Sequence, residues 1–203
     1  MAQHDLGPGR LEAFSDGVIA IIVTIMVLEL KLPEHVGEKG LVHGLLLPLT
    51  PKLVSYAMSF LVVAIMWVNH HALMATVRRA TRTILWQNNH LLFWMSLIPF
   101  ATGFLGENPR LPDAYAVYGF VLAASAGAFT LLRWHASTQG RDSPELSKVH
   151  RAVLGKSLLG TLLYAAAVPL AYVSIFASIA IFVAIPVMFF LPVFVGPATV
   201  NAD

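Results

Sequence analysis

The chain has 203 residues, of which 57% are hydrophobic and only 12% charged, with a formal net charge of +2; its mean hydropathy is +0.72 and its pI about 9.0. Soluble domains carry roughly twice that share of charge, so a water-soluble fold is excluded and an integral membrane protein is indicated. Zero cysteines exclude disulfides, thiolate catalysis and Cys-ligated metals, and the mild positive balance fits loops facing a cytoplasm better than a nucleic-acid surface.

Charge is costly in hydrocarbon, so uncharged stretches mark the crossings. The first candidate is short: its uncharged core, Gly17–Leu28, is preceded by Glu12 and Asp16 and followed by Glu29 and Lys31. By periodicity alone it could be a buried strand; a surface anchor is a further option, but its middle has no polar face. Lengthened to 11–32, it becomes a spanning helix whose acidic ends must face protein or water. Further spans are expected at about 53–77, 83–106 and 114–133, with Pro99 bending the third. The uncharged run after Lys156 is long enough to cross twice, roughly 69 Å as one helix. It should fold back around Pro169–Ser174 into spans 153–172 and 175–195, with Pro186 and Pro192 kinking or ending the last. The expected architecture is therefore all-α, one domain over 1–203 with six transmembrane helices and no separate catalytic unit. An enzyme is not expected, nor a cofactor or metal, and no cleavable signal peptide is expected at the N-terminus.

Six crossings place Arg10, Arg78, Arg79, Arg82, Arg133, Arg141, Lys148, Arg151 and Lys156 on one side and Lys31, Lys39, Lys52 and Arg110 on the other. The positive-inside bias then puts both termini in the cytoplasm of a multi-pass cell-membrane protein.

Polar residues inside spans are functional candidates once their depth is known. Asp16 follows Arg10 by six residues, Asn69, His70 and His71 precede Arg78 by seven to nine, and Asn88, Asn89 and His90 follow Arg82 by six to eight. All three groups thus lie roughly 9–13 Å from one boundary. Arg10, Ser15, Asp16, His70 or His71, and Asn88 or Asn89 meet at that level. Three readings stay open: hydrogen-bond glue orienting the first helix, a proton relay through Asp16 and the histidines, or a metal site. Glue implies that Asp16→Asn mainly weakens assembly. Metal is disfavoured because adjacent histidines point about 100° apart and no H-x-x-x-H spacing is present. Val117-Tyr-Gly-Phe120 lacks the residues of a carbonyl-lined filter, and Arg78, Arg79 and Arg82 lack the spacing of a voltage sensor.

The segment Arg10-Leu-Glu-Ala-Phe14-Ser15-Asp16 is an R-x-x-x-F-S-D pattern opening the first helix. With Trp67-Val-Asn-His70-His71, Asn88-Asn-His-Leu-Leu-Phe-Trp94 and Ser96-Leu-Ile-Pro99-Phe100, it resembles the TMEM-type endolysosomal potassium channel family in its prokaryotic single-repeat form. The resemblance covers about the first hundred residues. It implies a homotetramer of six-helix subunits in the lipid bilayer, with four first helices lining a pore that passes monovalent cations, potassium preferred. The matching constriction positions are Ile21, Ile25 and Leu28, with Thr24 adjoining, and their i, i+4, i+7 spacing permits one helical stripe. Arg10, Phe14, Ser15, Asp16, His70, His71, Asn88 and Asn89 form the motif and helix-positioning set. Potassium would be the permeant ion, with no cofactor. The alternative is a proton-permeable or proton-coupled pathway using Asp16 and His70 or His71; a membrane metal enzyme using His70, His71 and His90 ranks far behind.

Overall fold

The computed structural model describes residues 8–32, 40–138 and 144–190, with side chains from 150 onward in the last stretch. The expectations placed on Lys39, Arg141, Pro192 and the Lys148 side chain lie outside these. The described residues form seven α-helices in chain order: α1 (Pro8–Leu28), α2 (Leu47–Met74, entered through a π-helical turn at Leu41–Leu46), α3 (Arg82–Met95), α4 (Ile98–Glu107), α5 (Pro112–Ser137), α6 (Pro144–Leu170) and α7 (Ile175–Phe190). No strand occurs among them. Four helical stretches, Pro8–Leu28, Leu41–Met74, Pro112–Ser137 and His150–Leu170, are long and apolar enough to cross a membrane, and Ile175–Phe190 is a shorter apolar helix. The all-α, multi-pass class is as expected.

Helix boundaries follow local chemistry. Pro112 sits in the first turn of α5, where its missing N–H costs nothing. The Thr81 hydroxyl caps α3 by accepting from the Ile84 amide at 3.4 Å. The expected third span is broken rather than bent: α3 ends at Met95 and α4 starts at Ile98. Pro99 lies in the first turn of α4 and has no amide to give the Met95 carbonyl, so the ladder is interrupted there. The Ser96 hydroxyl donates to the Phe93 carbonyl at 2.7 Å and closes the end of α3. The chain reverses after α6 through turns over Ala171–Ser174, as expected, whereas Pro186 lies inside α7 without ending it.

The most buried helix is α5, which packs against α3, α4, α6 and α7, while α1 packs on the other side against α2, α3 and α4. Tyr118, Leu122 and Leu132 of α5 are buried with Val63, Ile84, Leu91 and Ile98 in one continuous core. A second kind of contact ties α2, α4 and α5 together: Thr102 Oγ1 lies 2.7 Å from Ser59 Oγ, which lies 2.9 Å from the Tyr118 hydroxyl. All three side chains are buried, so hydroxyls satisfy one another where no water is present.

Small residues let the short α4 sit close. A Cβ on Gly106 would meet Ser55 Oγ at 2.7 Å and the Lys52 Cα at 3.0 Å, and one on Gly103 would meet the Glu29 carboxylate at 2.5 Å. Such approach is how membrane helices gain packing without a hydrophobic driving force. Gly106→Ala must push α4 away from backbone, at a cost of about 1–3 kcal/mol. A lowered thermal midpoint in detergent is the expected result. Gly155→Ala, where a Cβ meets nothing within 4 Å, should leave the midpoint unchanged or raise it.

Candidate functional site

The site grows from one face of α1. Leu11, Ser15, Ile19, Ile22 and Met26 recur at helical spacing and are buried against α2, α3 and α4. Within this apolar seam Ser15 is fully buried and polar, and so are Asn88 of α3 and, nearly so, His70 of α2. They form a directed chain. The His70 Nε2–H donates to Asn88 Oδ1 at 2.8 Å, Asn88 Nδ2–H donates to Ser15 Oγ at 2.9 Å, and the Ser15 hydroxyl donates to the Leu11 carbonyl at 2.8 Å. Three helices are thereby pinned at one depth, and the remaining ring atom, His70 Nδ1, has no partner among the described residues.

The acidic residues are outside this chain. Trp67 Nε1–H donates to Asp16 Oδ1 at 2.9 Å, and His71 Nδ1 lies 2.7 Å from Glu12 Oε1, both on the exposed side of the α1–α2 contact. Of the alternatives open in the sequence, His70 and Asn88 join the buried chain. His71 pairs with Glu12, Asn89 is exposed, and Arg10 is exposed at the start of α1. Phe14 is 56% exposed, about 100° around the helix from Ser15. His90 accepts a bond from Trp94 Nε1 at 2.9 Å on its own helix. No group of three His, Cys, Asp or Glu among the described residues is placed to hold a metal ion.

The expected pore positions lie on the face of α1 turned away from its bundle. Ile21, Ile25 and Leu28 are 58%, 42% and 71% exposed, whereas Ile19, Ile22 and Met26 are buried. The Thr24 hydroxyl donates to the Ile21 carbonyl at 2.9 Å, which leaves its lone pairs directed outward. Val23 is partly buried and packs against the core.

Sequence reading missed three partners. Trp67 is the group that holds Asp16; its signal is the spacing to His71, one turn on along the same face, where the two rings lie 6.3 Å apart. Glu12 stood out only as a charge flanking the span. Arg133, placed among the loop charges, reaches Asn69 Oδ1 at 3.4 Å from within α5; a span-terminal arginine carries no sequence mark of such a bond.

A stack of long apolar helices, joined by buried hydroxyl and amide chains and exposing apolar faces that include one side of α1, defines a multi-pass membrane protein. Residues 10–99 match the family described as Endosomal/lysosomal potassium channel TMEM175. A protein named as a potassium channel from Chryseobacterium sp. (strain P1-3) is 47% identical over 148 residues, 73% of each chain. One so named from Streptomyces collinus is 40% identical over 172 residues, 82% of this chain and 83% of that one. The crystal structure of a lysosomal potassium-selective channel TMEM175 homolog from Chamaesiphon minutus superposes with a TM-score of 0.81 at 34% identity, covering 90% of this chain and 96% of that one. The chain belongs to the TMEM175 family, a family of ion channels and not of enzymes.

Asn88→Ala deletes two bonds of the buried chain. Each is worth roughly 0.6–2 kcal/mol in a membrane interior, and His70 and Ser15 are left without them. A loss of roughly 1–4 kcal/mol is expected, seen as a lower thermal midpoint in detergent. Asp16→Asn keeps an Oδ1 acceptor for Trp67 and should stay near wild type, whereas Asp16→Ala should not, which replaces the expectation, drawn from sequence alone, that Asp16→Asn weakens assembly.

Proposed function

We propose that the chain is one subunit of a homotetrameric, potassium-preferring cation channel of the cell membrane, in which α1 of each copy lines a central pore. The observation that carries the reading is the outward face of α1. Phe14, Gly17, Ile21, Thr24, Ile25 and Leu28 lie along it and are exposed, although Leu11, Ser15, Ile19, Ile22 and Met26 anchor the same helix firmly in its bundle. One helix cannot enclose a pore; four copies around a cyclic axis can. The relatives named as potassium channels support potassium as the permeant ion.

In this arrangement Ile21, Ile25 and Leu28 form successive apolar rings. An apolar ring offers no oxygen ligands, so passage is governed by pore width and by dewetting of the neck. The Thr24 hydroxyl oxygens, with their hydrogens committed to Ile21 carbonyls, present lone pairs to a passing cation. Asp16 lies on the Arg10 side of the constriction, held by Trp67, where a carboxylate attracts cations to the entrance. The buried His70–Asn88–Ser15 chain contains no acid, which favours its reading as glue over a proton relay.

Orientation follows from the loops. Among described residues, Arg10, Arg78, Arg79, Arg82, Arg133, Arg151 and Lys156 belong to one end of the bundle and Lys31, Lys52 and Arg110 to the other. The positive-inside rule places the first end in the cytoplasm. With α3 and α4 together making one of six crossings, both termini are cytoplasmic.

Potassium against sodium reversal potential in a planar bilayer tests the permeant ion, and a preference for sodium refutes the reading. Native mass determination tests assembly: a tetramer is expected, and a conducting monomer excludes the shared pore. Ile21→Asn wets the neck, so conductance should rise about several-fold while potassium preference falls. Val23→Asn puts the same amide against the core and should lower tetramer yield instead. Equal effects of the two on ion flow would falsify the assigned pore face.

A further inference from the structure

Among the described residues, one cation is sheltered without a counter-charge. Arg133 sits near the end of α5, where its Nη2–H donates to a neutral carboxamide, Asn69 Oδ1, at a long 3.4 Å. Its Nε is buried with no hydrogen-bond partner, and the guanidinium lies 4.9 Å from the centre of the Phe129 ring. Neither the Lys52–Glu107 nor the His71–Glu12 ion pair involves Arg133. A guanidinium partly withdrawn from water without an anion is costly.

The same side chain forms one wall of an open cleft of about 200 Å³ between α2, α5 and α6. Thr76, Ser137 and His150 make up its polar lining, and Leu73, Val153 and Leu154 its apolar walls. The Thr76 and Ser137 hydroxyls donate to the Leu73 and Trp134 carbonyls at 2.7 Å, so their oxygens supply no positive charge and Arg133 is the principal anion-binding group. The cleft lies at the end of the bundle from which Arg78, Arg79 and Arg82 emerge, on the loop that follows Thr76. Arginines at the mouth, a half-buried guanidinium on the wall and apolar side chains beside it match an amphiphile with an anionic head.

We infer that this cleft binds a phosphate group, presented by an anionic phospholipid. The guanidinium fork takes two phosphate oxygens in the bidentate geometry that lysine cannot reproduce. Leu73, Val153 and Leu154 pack on the glycerol and first methylenes. Basic pockets between membrane helices are suited to such head groups. Free phosphate shares the head-group chemistry but has nothing to place on the apolar walls. The lipid joins α2 to α5 and α6 beside the long Arg133–Asn69 bond, so it fixes the outer helices and not the pore face of α1.

Titration of the delipidated full-length channel with phosphatidylglycerol, phosphatidylcholine or inorganic phosphate, read by native mass spectrometry, tests this without relying on conduction. Phosphatidylglycerol should bind on the order of tenfold more tightly than either competitor. Arg133→Gln should lower its binding on the order of tenfold, and Arg133→Lys by less. Thr76→Trp fills the cleft from an exposed wall position, retains Arg133, and should lower binding similarly, so the test survives if Arg133→Gln does not fold. Tight inorganic phosphate binding that Arg133→Gln abolishes would overturn the lipid source in favour of a soluble phosphate. Phosphatidylglycerol retained equally by wild type, Arg133→Gln and Thr76→Trp would overturn the site.

Discussion

The rotation of α1 about its own axis depends on one buried chain of hydrogen bonds. An apolar helix among apolar helices in lipid gains little from turning one side inward rather than another, because lipid tails are as apolar as leucine. Ser15 removes that freedom. Its hydroxyl has to meet Asn88, and Asn88 has to meet His70, so a single rotation of α1 satisfies all three groups. The far side of the helix, with Ile21, Thr24 and Leu28, is then turned outward. The face proposed for the pore is therefore set by bonds on the opposite side of the helix.

Neutral and ionisable groups are divided along the same lines. The buried chains are built from amides, hydroxyls and one imidazole: His70–Asn88–Ser15 near one end, and Thr102–Ser59–Tyr118 farther along the bundle. The carboxylates Glu12 and Asp16 stay at the exposed side and are held by His71 and Trp67. This division avoids burying an unpaired charge, whose desolvation no single hydrogen bond offsets. Arg133 departs from the pattern, and it does so beside an open cleft rather than in the sealed core.

Close approach of backbones supplies the rest of the cohesion. Gly103 admits the Glu29 side chain and Gly106 admits the α2 backbone at Lys52, so the short α4 is clamped between α1 and α2. The break before Pro99 makes this possible. A continuous helix from Arg82 to Glu107 would carry its second half along the axis of α3, whereas the two turn residues Ser96 and Leu97 interrupt it.

Composition and charge spacing alone determined that the chain is all-helical and multi-pass, because charge is excluded from hydrocarbon and its gaps mark the crossings. The reversal around Ala171–Ser174 was legible for the same reason: the uncharged run is too long for a single crossing. Depth was legible too, since a fixed rise per residue puts Ser15, His70 and Asn88 at one level. What remained open was rotation. Spacing cannot tell whether His70 or His71, or Asn88 or Asn89, faces the neighbour, since neighbouring positions on a helix differ by about 100°. Only packing decided it, through Ile84, Leu91 and Met95 on α3 and Val63 and Met66 on α2, which fill the core and carry Asn88 and His70 inward with them. The Trp67 bond to Asp16, the break between α3 and α4, and the position of Arg133 in its cleft likewise arise from contacts between distant segments, which local periodicity does not encode.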